Sequence, residues 1–280
     1  MSTQVESLRR FVAQNPAPHL PAPTGGSVVV GGGKGGVGTS TVAALLAVGA
    51  ATTGATVLLV DADAGFGALH LLLGAPAGPG LEALRSGGTS PDELIVAVTS
   101  TLSLLPGGSG SSASAAERQS LLRRASIVFP RFDLVVVDGG SRLDSVLAAC
   151  AAGAARALCV AVDDRIALTA TYALTKVLAE RFPGLPTEVI VNRADHESAE
   201  FAAGQVGAAA RHFLHRSVGF AGAVPEDDSL RIAVDAGMHL QDAAAGSPAA
   251  ATLEVIGSTL LHQPTAGPQL VERRHLHRRP

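Results

Sequence analysis

Between Gly31 and Thr41 the chain carries six glycines, one lysine and three hydroxyl residues, in the order Gly31-Gly32-Gly33-Lys34-Gly35-Gly36-Val37-Gly38-Thr39-Ser40-Thr41. Glycine lets a backbone turn with positive φ and come close to a ligand. When such a turn opens a helix, successive N–H groups point inward and the helix dipole adds partial positive charge. The chemistry suggested is the binding of a polyphosphate. The spacing matches the phosphate-loop pattern G-x-x-x-x-G-K-[ST] over Gly33 to Ser40, with one failure. The lysine that should follow Gly38 is Thr39, whereas Ser40 supplies the hydroxyl expected to hold Mg²⁺.

Three carboxylates follow apolar runs. Asp61 and Asp63 end Val57-Leu58-Leu59-Val60, and Asp138 ends Leu134-Val135-Val136-Val137. Aspartates at strand ends beside a phosphate loop come near the metal and its waters. Mg²⁺ keeps several waters and takes oxygen ligands, so Ser40 with Asp138 and Asp61 would suffice. Asp63 is the candidate for orienting an attacking water. Asn192 ends another apolar run, where its amide is either a base contact or a turn residue. Pro225 and Glu226 follow a further strand and precede a helix for which Asp228 is the expected N-cap.

These residues need elements to hold them. Strands are expected at Ser27–Gly31, Thr56–Val60, Leu102–Leu105, Leu134–Val137, Ala157–Val162, Val189–Val191 and Val218–Ala223. Helices are expected at Ser40–Thr52, Ala115–Phe129, Leu143–Ala152, Ala167–Arg181, Glu197–Phe213, Ser229–Ala236 and Ala249–Leu261. Short apolar strands alternating with helices predict an α/β fold: one doubly wound, mainly parallel sheet with helices on both faces. Ligands then sit at the carboxyl ends of the strands. We divide the chain into an N-terminal helix (1–14), a Pro/Gly linker (15–26), a nucleotide-binding domain (27–261) and a basic tail (262–280). In the first segment Thr3 and Glu6 form a capping box, and Val5, Leu8 and Val12 share one face. That helix is either a partner-binding peptide or a segment that docks on its own domain.

Hydrophobic residues make up 47% of the 280, but aromatics only 3%, so the core must be built of Ala, Val and Leu. A net charge of −3 gives no general attraction to nucleic acid, which is not expected as a partner. Cys150 and Cys159 fit neither a disulfide framework nor a zinc site and read as buried thiols of a reducing, cytoplasmic compartment. Arg273, Arg274, Arg278 and Arg279 give the tail at most weak attraction to an anionic membrane surface.

The loop Gly33–Thr41, with its early Lys34, resembles the deviant phosphate loop of the MinD/ParA ATPases. Val60-Asp61-Ala62-Asp63-Ala64-Gly65, His70-Leu71-Leu72-Leu73-Gly74, Leu105-Pro106-Gly107-Gly108-Ser109-Gly110, Thr171–Val177, Val191-Asn192-Arg193 and Val224-Pro225-Glu226-Asp227 resemble its FlhG branch (also called FleN or YlxH), which limits flagellar number. Thr3–Arg9 resembles the D-Q-A-x-x-L-R segment by which that branch stimulates the GTPase FlhF; Gln4, Leu8 and Arg9 match, Thr3 and Val5 do not. The resemblance implies ATP or ADP with Mg²⁺, held by Gly33, Lys34, Gly35, Gly36, Val37, Gly38, Thr39, Ser40 and Thr41, with Asn192, Pro225 and Glu226 at the base. It implies an ATP-bound homodimer in which Lys34 reaches the other subunit's phosphates, and hydrolysis assisted by Asp63. It further implies flagellar basal-body proteins as partners and a place at the inner membrane face or cell pole.

Two departures bear on turnover. Thr39 removes a positive charge from the phosphates. Gly139-Gly140-Ser141-Arg142 replaces the D-T-G-A-G of relatives, and Arg142 is a candidate source of the missing charge. Three alternatives follow: a degenerate ATPase acting as a scaffold, a cell-division or partition ATPase, and an iron–sulfur carrier. The last requires cysteines placed for a cluster, which this spacing does not offer.

Overall fold

In the computed structural model, residues 26–63, 67–108 and 114–262 are described. The expected N-terminal helix with Gln4, Leu8 and Arg9, its linker up to residue 25, Ala64, Gly65, Ser109, Gly110 and the basic tail from residue 263 lie outside them.

Eight strands form one sheet: β1 (Gly26–Gly32), β2 (Val57–Asp61), β3 (Val96–Ala97), β4 (Leu102–Leu105), β5 (Leu134–Asp138), β6 (Arg156–Val162), β7 (Thr187–Asn192) and β8 (Gly219–Val224). Their order is β3-β4-β2-β5-β1-β6-β7-β8, parallel throughout except where β3 runs antiparallel along β4. The helices are α1 (Thr39–Thr52), α2 (Leu69–Leu72), α3 (Ala115–Ala125), α4 (Leu143–Ala151), α5 (Arg165–Arg181), α6 (His196–Ala209), α7 (Asp228–Asp235), α8 (Leu240–Ala243) and α9 (Pro248–His262).

Strand side chains alternate between two cores, as the period of two requires. Val29, Val135, Val137, Cys159, Val189 and Val191 face α3 to α6. Val28, Val30, Leu59, Val136, Leu158 and Ile190 face α1 and α9. Both faces are covered, so the doubly wound expectation holds. It also explains strands that read as unbroken apolar runs. Cys150 and Cys159 are free and buried on the first face. Burial raises both thiols, Cys159 to about 12.

Several element ends differ from expectation, each for a local reason. The helix expected to reach Phe129 stops at Ala125; Ser126–Arg131 tightens into a 3-10 turn containing Pro130. The helix expected to run to Phe213 leaves α geometry after Ala209, forms a wide turn over Ala210–Leu214, and ends at His215 with φ +54°. The helix expected from Ala167 starts two residues earlier because the Asp164 carboxylate accepts the Ile166 and Ala167 N–H groups. Asp227, not Asp228, caps α7 by accepting the Leu230 N–H at 2.9 Å. Four short helices (α2, α8 and the 3-10 turns at Leu81–Ser86 and Pro91–Leu94) and the two-residue β3 have no counterpart in the sequence reading. Among the described residues no helix is long and apolar enough to cross a membrane.

Candidate nucleotide site

All seven parallel strands end at one edge of the sheet, and the candidate residues gather there. The loop Gly33–Gly38 joins β1 to the N-terminus of α1. Gly33 lies directly on α5: a Cβ there would fall 2.6 Å from the Thr171 nitrogen, so only glycine lets the loop sit so close. Gly38 has φ +88°, and its carbonyl accepts the Val42 N–H at 2.9 Å, starting α1.

On the metal side, β2 and β5 are neighbours in register, with Asp61 opposite Asp138. Each is 1% exposed. Asp138 accepts hydrogen bonds from the Ser40 side chain and from the Gly140 N–H at 2.9 Å. Burial raises its carboxyl to about 6 against these stabilising bonds, with the Asp63 charge adding to the rise. Asp61 is raised to about 7, by burial first and by Asp138 second. Its Oδ1 accepts the Asp63 N–H at 3.3 Å, while its buried Oδ2 has no hydrogen-bond partner. Two like charges and one orphaned oxygen in a water-poor place suit a cation. Asp63 joins the same group: a Cβ on Gly140 would fall 2.6 Å from its Oδ1. Among the described residues no three His, Cys, Asp or Glu side chains form a metal cage. Mg²⁺ is held by a few protein oxygens together with water and phosphate, and Ser40, Asp61 and Asp138 supply such oxygens.

The charge side is different. Thr39 is 6% exposed, and its Oγ1 packs back against Gly32. Lys34 Nζ sits 3.4 Å from Asp164 Oδ2, both side chains about two-fifths exposed. Arg142, the suggested replacement charge, pairs instead with Asp144 at 3.3 Å.

Beside the loop lies a cavity of about 190 Å³, walled by Thr41, Val42 and Leu45 of α1, by Asn192, Arg193, Pro225 and Glu226, and by Leu230 and Leu253. Apolar Val42, Leu45, Leu230 and Leu253 face it beside the charged Arg193, Glu226, Asp228, Arg231 and Asp235, a mixed lining with room for a flat heterocycle. Asn192, 9% exposed, donates from Nδ2 to the Val37 carbonyl at 2.9 Å, and its Oδ1 accepts the Arg193 N–H at 3.1 Å. Asp227 holds the far wall together, accepting from Ser229 at 2.6 Å and Ser247 at 2.7 Å. These bonds, Ser229 first, hold its carboxyl down at about 2. The sequence reading missed Asp164, Arg193, Leu230 and Leu253. The apolar period of α7 and α9 signalled burial of the leucines but not what they would face.

A family model for the CobQ/CobB/MinD/ParA nucleotide binding domain matches residues 28–240. The chain is similar to the antiactivator FleN of Pseudomonas aeruginosa, 26% identical over 215 residues, or 74% of this chain and 76% of that protein. Its fold is similar to the septum site-determining protein MinD of Pyrococcus horikoshii complexed with Mg-ADP, with TM-score 0.68 and 23% identity over 83% of this chain and 94% of that one. A ParA family ATPase of Chlorobium tepidum gives TM-score 0.65 and 20% identity over 84% and 98% of the two chains. From the phosphate loop, the strand-end carboxylates and a family match spanning most of its length, the chain belongs to the CobQ/CobB/MinD/ParA nucleotide-binding family.

Proposed function

We propose that this chain is an ATP-responsive regulator of flagellar number and placement. The observation that carries the nucleotide part is the joining of a phosphate loop, the Ser40–Asp138 pair and the 190 Å³ cavity at one sheet edge. The flagellar part is supported by likeness to the antiactivator FleN. Gly33 to Gly38 would surround the phosphates with backbone N–H groups, and the cavity beside Asn192, Pro225 and Glu226 would take the adenine. Ser40, Asp138 and Asp61 would hold Mg²⁺, which neutralises phosphate charge when bound. Asp63 would orient water.

In this reading Lys34 leaves Asp164 when two ATP-bound copies meet, and it reaches the partner's phosphates. Gln4, Leu8 and Arg9 would engage an FlhF-like GTPase, and the monomer would meet basal-body proteins. The chain would act in the cytoplasm, with peripheral contact at the inner membrane face or cell pole.

A second reading rests on one observation: Thr39, buried and packed against Gly32, stands where the phosphate-loop lysine would be. It makes the chain a degenerate ATPase that serves as a scaffold. ATP binding, turnover and column elution, measured for wild type and Thr39→Lys with Mg²⁺, separate the two. Turnover and ATP-dependent dimerisation by wild type support the switch. Binding and dimerisation only in Thr39→Lys support the scaffold. Neither in either protein removes the nucleotide reading.

A further inference from the structure

We propose that Asn192 is the positioning residue of the phosphate loop, a clamp on the Val37–Gly38 peptide. The inference takes its ligand from the nucleotide reading above and its geometry from the ligand-free site.

Asn192 ends β7, which is paired on both sides, with β6 and with the edge strand β8, so its backbone is fixed. Its side chain bridges two backbone groups: Nδ2 donates to the Val37 carbonyl at 2.9 Å, and Oδ1 accepts the Arg193 N–H at 3.1 Å. The two partners decide how the amide faces, because a flipped amide would set donor against donor and acceptor against acceptor. Arg193 keeps this arrangement at φ +59°, a conformation uncommon for a residue with a side chain. On the loop side, Gly38 at φ +88° leaves room for the clamp: a Cβ there would fall 2.5 Å from Nδ2.

The consequence follows from peptide planarity. In a trans peptide the C=O and the following N–H point in opposite directions. Tying the Val37 carbonyl to Asn192 therefore turns the Gly38 N–H away from Asn192; in the nucleotide reading above, that N–H faces the phosphates. In a loop with a lysine after Gly38, that side chain would supply most of the attraction to phosphate. Here Thr39 supplies none, so the orientation of backbone N–H groups and the α1 dipole must carry the anion. A fixed Val37–Gly38 peptide then matters more than in a loop that has its lysine.

This role differs from reading the base edge, and the two can be told apart by probes that lack one half of the nucleotide. Tripolyphosphate with Mg²⁺ tests the loop, and adenosine tests the cavity. In Asn192→Ala, tripolyphosphate and ATP should both weaken, roughly tenfold for one buried hydrogen bond, whereas a base contact alone would weaken ATP and leave tripolyphosphate at its wild-type affinity. In the ligand-free protein the amide order parameters of Gly36 to Thr39 should fall from about 0.85 to below about 0.6. Asn192→Asp keeps the acceptor and the shape but loses the donor, and should behave like Asn192→Ala. Arg193→Gly keeps its N–H, so its loop order parameters should match wild type. The clamp is overturned if loop order parameters and tripolyphosphate affinity stay at wild-type values in both Asn192 variants, whatever happens to ATP. If wild type binds neither tripolyphosphate nor ATP, the nucleotide reading falls. The order parameters then decide the clamp by themselves.

Discussion

At the metal side of the loop, Ser40 and Asp138 are hydrogen-bonded, Asp61 is in register beside them, and Asp63 rests against Gly140. On the charge side, Thr39 is folded back on Gly32, Lys34 is held by Asp164 and Arg142 by Asp144. One half has the hydroxyl and carboxylates that the proposed function assigns to Mg²⁺, and the other has Thr39 where the phosphate-loop pattern has lysine. The contrast teaches that binding and turnover can separate. Oxygen ligands and backbone N–H groups make a site, while a charge on the transferring phosphate accelerates it.

The sharpest way to break the contrast is on the metal side. Asp138→Asn removes a ligand charge and should weaken Mg²⁺-dependent ATP binding by roughly 100-fold, read by calorimetry. The same change removes a buried like charge beside Asp61, so the ligand-free Tm should rise. A fall in both would show that Asp138 is structural. Next, Thr39→Lys should tighten ATP by roughly ten- to hundredfold through charge-assisted contacts. No gain would mean that the charge side is not the deficient half.

The pH dependence tests the same carboxylates. Asp61 and Asp138 have folded-state values of about 7 and about 6, above an ordinary 3.8. Between the ordinary and folded values the folded chain holds more protons than the unfolded one, so stability falls as pH rises through that window. The ligand-free protein should thus melt higher at pH 5 than at pH 8, and Asp61→Asn should flatten the slope. The smallest effect is expected at the exposed Lys34–Asp164 pair. Lys34→Ala should change monomer stability by less than about 0.5 kcal/mol while abolishing any ATP-dependent shift on a sizing column.

Much of this was legible in residue order. The runs Val28–Val30, Leu58–Val60 and Val135–Val137 are apolar enough to announce buried parallel strands, and the glycines around Lys34 announce the loop. What was not legible depends on contacts distant in sequence. Asp164 is one of two adjacent aspartates with nothing in their order to set it apart, yet it caps α5 and pairs with a lysine 130 residues earlier. Asn192 offered an amide without showing that Val37, 155 residues away, would take it. The edge strand β3 is two residues long and has no period to read. The site's residue types were visible, but their partners were not, because pairing is set by sheet order and loop packing.

The central claim is that the metal side suffices for nucleotide binding without the loop lysine. Calorimetric titration of wild type with ATP, with and without Mg²⁺, tests it most directly. The account predicts binding that depends on Mg²⁺ and is lost in Asp138→Asn. Absence of Mg²⁺-dependent binding in wild type, with recovery in Thr39→Lys, would contradict it.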